Sequence, residues 1–283
     1  MRKQNPLTAA LNCDLTVSSY TEYSDKITSP VRIALLSDLH STIYGDKQQI
    51  LLSAVRKQRP DLILMAGDIA DHKVSHHGTC MLLDEIGKTW PCFYASGNHE
   101  HWTREMPAIR KMFTSRNITV LSGGTVPVTV RGQTLLISGV DDPHAFVSSH
   151  HTAKVAPEWK VQFRRCRAQI TPALCSILIS HRPELTKYYE DSGFDLVVAG
   201  HAHGGQVRLP GCKNGLLAPH QGFFPKYAGG RYQLGNTVMI VSRGLCLNRL
   251  PRICNPPEVV MIELRPRSLS PLPVFQTHPD ILH

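Results

Sequence analysis

No stretch of this chain approaches the roughly 18 apolar residues that a helix needs to cross a bilayer, so any membrane contact is expected to be peripheral. The N-terminus, Met1-Arg2-Lys3-Gln4-Asn5-Pro6, also lacks the apolar run of a secretory leader, and a cytoplasmic chain is expected. No two of the eight cysteines, at 13, 80, 92, 166, 175, 212, 246 and 254, have the spacing of a zinc knuckle or a redox pair, which leaves free buried thiols. Twenty Gly and twenty Pro recur without a period, excluding collagen-like and low-complexity chains. Acidic residues are in deficit, 22 against 31 Lys and Arg, and the balance of +9 suits an anionic partner. What is present is 42% hydrophobic residues in 283, ample for the core of one large domain or two small ones, and fifteen histidines.

From Val31 onward the sequence falls into short, nearly continuous apolar runs closed by polar turns: 31–36, 61–66, 92–95, 134–138, 176–180, 195–199 and 237–241. Such runs suit strands buried on both faces. Between them, Ile50, Leu51, Ala54 and Val55 predict a helix over 47–58 that Pro60 stops, and Met106, Ile109, Met112 and Phe113 predict another over 104–115. Strands alternating with helices indicate a layered α/β fold. Residues 1–27 read as an irregular lead-in or a peripheral strand, 28–265 as the folded domain, and 266–283 as a proline-rich tail. The polar stretch 143–173, with His150-His151 and Arg164-Arg165-Cys166-Arg167, reads as an excursion lying over an active face.

The strand ends carry the chemistry. They read Ser37-Asp38-Leu39-His40, Gly67-Asp68, Ser96-Gly97-Asn98-His99-Glu100, His181 and Gly200-His201-Ala202-His203. In open α/β sheets ligands bind beyond the carboxyl ends of strands, where departing loops point polar groups into a shared crevice. Taken singly, Asp or Asn after a strand is an ordinary turn former, and a lone His more often hydrogen-bonds than binds metal. Five of seven strand ends of this kind are not explained that way. If they meet, Asp38, His40, Asp68, Asn98, His181, His201 and His203 form a mixed N/O set suited to first-row metals and numerous enough for two ions. Asp-x-His and His-x-His in an extended loop would point both members of each pair the same way.

In this order the five blocks resemble the signature of calcineurin-like metallophosphoesterases, over about Val31 to Leu264. The resemblance implies a four-layer α/β/β/α sandwich of two packed mixed sheets, with a dinuclear site at the sheet ends. It makes Asp38, His40 and His203 ligands of one ion, Asn98, His181 and His201 ligands of the other, and Asp68 the bridge. His99 would stabilise the transition state or protonate the leaving oxygen, with Glu100 orienting it. Two divalent ions are implied, manganese first, with iron or zinc as alternatives. Gly204-Gly205-Gln206, Val241-Ser242-Arg243-Gly244-Leu245 and Asn255-Pro256-Pro257-Glu258 narrow the resemblance to small bacterial phosphodiesterases related to UDP-diacylglucosamine pyrophosphatases. Ala202 and Cys246 depart from that pattern without removing a ligand.

The implied activity is hydrolysis of a phosphodiester or pyrophosphate bond in a small or lipid-linked substrate. Arg182 and Arg243 are expected phosphate clamps, because guanidinium matches phosphate oxygens in a bidentate way. Arg104, Arg110, Lys111 and Arg116 beside Met106, Met112 and Phe113, and Arg164, Arg165 and Arg167 beside Trp159 and Phe163, offer an anionic membrane surface peripheral contact at its inner face. A core-facing helix is the competing reading of the same spacing. The aromatic-rich segment 211–231 could shape the substrate site. Two alternatives stand beside the main reading: a nuclease or cyclic-nucleotide phosphodiesterase of the same catalytic class, and a non-catalytic metal-dependent binding module. Nucleic acid is disfavoured because no basic stripe is interleaved with stacking aromatics; the complete ligand set disfavours the module. Oligomeric state is left open.

Overall fold

The computed structural model describes residues 14–147, 155–208, 214–247 and 252–269. The first half builds β1 (Thr16–Ser24), β2 (Val31–Leu36), α1 (Gln49–Gln58), β3 (Leu62–Ala66), α2 (His77–Thr89), β4 (Cys92–Ala95), α3 (Asn98–Trp102), α4 (Met106–Thr114) and β5 (Ile118–Val120). There follow β6 (Gly124–Val130), β7 (Gln133–Gly139), α5 (Pro157–Arg167), β8 (Cys175–Ile179), α6 (Thr186–Tyr189) and β9 (Leu196–Ala199). The last part holds the short hairpin β10 (Leu217–Ala218) and β11 (Gly222–Phe223), then β12 (Gly230–Leu234), β13 (Thr237–Val241) and β14 (Glu258–Pro266).

Two six-stranded mixed sheets result, ordered β1-β14-β2-β3-β4-β5 and β12-β13-β9-β8-β7-β6. Strand alternation explains how they stack. In β2, Ile33 and Leu35 point toward the second sheet, where Leu135, Ile137, Ile177, Ile179, Val198 and Ile240 complete the inner core. Ala34 and Leu36, on the opposite face of β2, meet Leu51 and Val55 of α1, Leu82 and Ile86 of α2, and Ile109 and Phe113 of α4. The outer face of the second sheet is covered in the same way, with Trp159 and Phe163 of α5 and Tyr189 of α6 against Leu178, Val197 and Met239. The architecture is the expected α/β/β/α sandwich, and all seven apolar runs are strands with both faces covered.

Of the two readings of residues 1–27, the peripheral strand is the one present. The lead-in contains β1, an edge strand paired in parallel with β14 from Thr16–Glu258 to Ser24–Pro266, so the sheet begins before residue 28. Its alternating half-exposed pattern is that of an edge strand and carries little apolar signal. The tail opens with a short turn at Arg267–Leu269, and residues 270–283 lie outside the described residues, as do His150 and His151. Helix α5 does not lie over an active face: it forms the outer layer on the second sheet, with Trp159, Phe163 and Cys166 buried. Phe113 is likewise fully buried, stacked on Tyr94 with ring centroids 3.9 Å apart. The apolar faces of 104–116 and 159–167 are therefore core and cannot enter a membrane. Among the described residues no helix is long and apolar enough to cross one. The six described cysteines are free; Cys92, Cys166, Cys175 and Cys246 are buried, Cys80 is half-buried and Cys254 exposed, while Cys13 and Cys212 lie outside the described residues.

Candidate active site

Strands β2, β3 and β4 run parallel, as do β7, β8, β9 and β13, so in each sheet the carboxyl ends share one edge. There the loops converge as the sequence suggests. Asp38, His40 and His203 present ligand atoms within 4.8 Å of one another, and so do Asp68, His181 and His201. Asp68 links the groups: its Oδ2 lies 3.3 Å from His181 Nε2, 3.6 Å from His40 Nε2 and 3.9 Å from His99 Nε2. Asn98 is buried, and its Oδ1 has no hydrogen-bond partner. A buried amide oxygen without a donor is costly unless something else is coordinated there, which fits a metal ion better than an apolar packing role.

The pairs do not converge through extended backbone. Asp38, His40, Asp68, His201 and His203 all have left-handed backbone, with φ of 51°, 47°, 53°, 67° and 46°. Side chains other than Gly reach this region at a cost of about 1–3 kcal/mol each, and such residues cluster at functional sites. Tight left-handed turns, rather than the two-residue alternation of a strand, aim the pairs inward. Two glycines let the loops approach. A Cβ on Gly97 would sit 2.2 Å from Asp68 Oδ1, and one on Gly200 would sit 1.8 Å from Ser37 Oγ and 2.4 Å from Asp38 Oδ2.

The electrostatics divide the ligand set, with His201 and His203 held neutral and His181 pushed toward its charged form by the surrounding carboxylates. Burial pushes the Asp68 carboxyl up, but His181 and His99 outweigh it and hold the group well below the usual range. Burial works to lower His181, yet Asp68, Asp38 and Asp142 raise it to about 10. His201 and His203 are driven well below the ordinary imidazole value by burial, helped respectively by Arg182 and His40, and so are neutral and able to ligate. The His201 backbone N–H donates to both oxygens of Asp38 at 3.0 Å, tying the β9 loop to the β2 loop. Asn255 donates from Nδ2 to the carbonyl of His203 at 2.7 Å and so fixes the last loop.

Three expected roles change. The Glu100 carboxylate is committed to backbone, accepting N–H bonds from Gly97, Asp68, Ile69 and Ala70, and so holds the β3 and β4 loops together. Burial, with Asp68 adding to it, pushes Glu100 up to about 8. The group beside His99 is Asp71, whose Oδ2 is 3.2 Å from His99 Nδ1 and 2.9 Å from His40 Nδ1, with His72 Nδ1 2.9 Å from the same nitrogen of His99. Arg243, expected as a phosphate clamp, pairs with Glu258 at 2.6 Å, so its guanidinium is already engaged by a carboxylate. Arg182 is buried beside the site, but its guanidinium is engaged by Asp142 at 2.5 and 3.0 Å, by His144 at 2.6 Å and by His220 at 2.7 Å. Its guanidinium is therefore buried and multiply bonded rather than exposed.

A cleft of about 620 Å³ opens onto this cluster, lined by Asp68, Asn98, His99, His201 and His203 on one side and by His72, Trp102 and the Leu217–His220 turn on the other. Asp71, His72, Trp102, Asp142 and His220 escaped the sequence reading. Only Asp71 had a local signal, its position three residues after Asp68.

Comparison with known proteins agrees with this geometry. A family model described as calcineurin-like phosphoesterase matches residues 31–205. The chain is 28% identical over 242 residues to the uncharacterized metallophosphoesterase YkuE of Bacillus subtilis, covering 83% of this chain and 79% of that one. It is 26% identical over 243 residues to phosphodiesterase YaeI of Escherichia coli, covering 83% of each. Other curated relatives are longer, and the chain spans 37% and 59% of two of them. The crystal structure of TT1561 of Thermus thermophilus shares the fold with a TM-score of 0.50 at 11% identity, over 77% of this chain and 91% of that one. The family model spans the loops from Asp38 to His203, and this chain belongs to the calcineurin-like phosphoesterase family.

Proposed function

We propose that the protein is a metal-dependent phosphoesterase that hydrolyses a phosphodiester or pyrophosphate bond. The observation that carries the reading is the meeting of seven ligand-type residues from five strand ends around Asp68, with the Asn98 oxygen buried and without a hydrogen-bond donor. In this reading Asp38, His40 and His203 hold one divalent ion, Asn98, His181 and His201 hold the second, and Asp68 reaches both. The N/O donor set favours manganese, with iron or zinc as alternatives. Such ions supply Lewis-acid polarisation of the phosphoryl oxygens and lower the pKa of water.

The chain's own residues do the rest. His99 faces the cleft floor with Nε2 and is held from behind at Nδ1 by Asp71 and His72. With Nδ1–H donating to Asp71, that carboxylate favours the doubly protonated ring, the form that carries a second proton at Nε2 for the leaving oxygen in the role of a general acid. Trp102, half-buried with its ring 4.4 Å from that of His99, limits the imidazole's rotation and walls off water. The apolar wall beside the cluster supports a substrate with an apolar substituent on its phosphate, a lipid-linked nucleotide sugar such as UDP-diacylglucosamine being the finer form of the proposal, hydrolysed at the inner face of a membrane.

The test is a screen of manganese-loaded protein against bis-p-nitrophenyl phosphate, a phosphomonoester, nucleotide diphosphate sugars and single-stranded DNA, with Asp68→Ala and His99→Ala beside it. Turnover of the diester or the diphosphates that is lost on chelation, restored by manganese and abolished in both variants supports the reading. Elemental analysis should find two ions per active chain. Turnover that survives Asp68→Ala, or at most one ion in fully active protein, overturns it.

A further inference from the structure

The hairpin of β10 and β11 forms the outer wall of the cleft, and its two ends have opposite characters. Its turn is pinned inward: His220, with left-handed backbone at φ 60°, accepts at Nδ1 from Arg182 at 2.7 Å and lies 2.9 Å from Nε2 of His201. The Leu216 N–H donates to the carbonyls of Gly205 and Val207, and the Phe224 N–H returns to Leu216 at 2.9 Å. Strand β10 and the turn are thus fixed against the site, whereas Phe223 and Phe224 do not line the cleft.

Its outward face is apolar and open. Phe223 and Phe224 are each 71% exposed, more than any other large apolar side chain among the described residues. Leu217, the cross-strand partner of Phe223, is 44% exposed and lines the cleft. An apolar strip therefore runs from the cleft mouth at Leu217 to Phe223 and Phe224, at the end of the hairpin away from its turn. The sequence around it is one-signed: from Leu196 to Pro257 there are seven Lys and Arg and no Asp or Glu. Two of the seven, Arg231 and Arg243, are paired with Glu22 and Glu258, whereas Lys226, two residues past Phe224, lies over the Tyr227 ring. Adjacent exposed phenylalanines in a segment without acids match a surface that is negative outside and apolar beneath, the profile of an anionic bilayer interface. A protein partner would be met by the same apolar residues but gives no reason for a segment without acidic residues, the carboxylate near the hairpin being Glu184 beside the inward-facing His220.

We infer that Phe223 and Phe224 insert into the interface of an anionic membrane and hold the cleft mouth, through Leu217, at the level of lipid phosphates. The docking stands on the hairpin alone; its use in presenting a lipid phosphoester rests on the proposed phosphoesterase activity.

The experiment is co-sedimentation of the full chain and of Phe223→Ser/Phe224→Ser with vesicles of phosphatidylcholine, with and without phosphatidylglycerol, alongside turnover of water-soluble bis-p-nitrophenyl phosphate. The expected result is binding to the anionic vesicles that weakens with salt, and at least about tenfold weaker binding of the double variant. Both proteins should turn over the soluble diester equally, which also shows that the variant is folded. Wild-type protein that ignores anionic vesicles at low ionic strength, or a variant that binds them as well, overturns the proposal. So does a wild-type dimer that the double substitution dissolves while vesicle binding is absent, since the hairpin then docks on a second copy. Vesicle binding without soluble-diester turnover would leave the docking intact and refute the activity instead.

Discussion

Replacing Asp71 by Asn probes how the site makes His99 an acid. Asp71 is 3% exposed, and one oxygen serves two rings, 2.9 Å from His40 Nδ1 and 3.2 Å from His99 Nδ1. A carboxamide retains one acceptor oxygen and must present its NH2 group on the other side, so it cannot reproduce a charged acceptor for both rings. Through His40 the change should weaken metal binding by about 10–100-fold, the usual cost of losing a carboxylate behind a ligating imidazole. Through His99 it should remove part of the 10²–10⁴-fold that general acid catalysis supplies. The expected loss is about 100-fold in kcat at saturating manganese, or about 2.7 kcal/mol of transition-state stabilisation. The assay is steady-state turnover of bis-p-nitrophenyl phosphate with manganese affinity measured by calorimetry, on D71N, H99N and the double variant. H99N should lower turnover far more than metal content. If Asp71 acts on turnover through His99, the double variant at saturating metal is no slower than H99N alone. Full kcat in D71N, or losses that multiply in the double variant, would refute the reasoning.

Two further outcomes follow from the buried polar network and the loop packing. Asp142→Asn strands the buried Arg182 charge and should cost about 3–5 kcal/mol at neutral pH by urea unfolding, and a gap below about 1 kcal/mol would show that the pair is not stabilising. Burial alone would raise Asp142, but Arg182 and its hydrogen bonds outweigh this and hold it well below the usual range. Its contribution is therefore present above the unfolded carboxyl pKa and lost as pH falls through the depressed folded value, so the gap should narrow only in acid. Gly200→Ala places a methyl 1.8 Å from Ser37 Oγ and 2.4 Å from Asp38 Oδ2. It should destabilise the fold by about 1–3 kcal/mol and weaken metal binding, and an unchanged metal affinity would mean that Asp38 is not held by this contact.

The parts legible in the sequence were those whose signal is local. The run Val31–Leu36 reads as a covered strand because both faces are apolar, and the residues closing it are ligand types whatever lies around them. Less legible were contributions whose meaning depends on a distant partner. Strand β14 sits between β1 and β2, and its pairing with β1 joins residues 242 positions apart, as in Thr16 and Glu258. Arg243 at a strand end has the same local appearance as a phosphate clamp, and only the position of Glu258 assigns it to an ion pair. Trp159, Phe163 and Phe113 stood among cations, and their burial was decided by the sheets they cover.

Glu100 and Asp71 show the division most clearly. Adjacency in sequence pairs Glu100 with His99, yet α3 begins at Asn98, and the side chains of consecutive helical residues point about 100° apart. Glu100 is thereby turned back onto the backbone of the β3 loop, while Asp71 arrives from that loop to face His99. The sequence by itself determined the layered fold, the donor chemistry and the order of the strand ends, because each is written in neighbouring residues and their periodicity. The tertiary structure decided which carboxylate stands behind which imidazole, which arginine is already paired, and which aromatic rings meet solvent, because those depend on how two sheets stack and where left-handed turns aim the side chains.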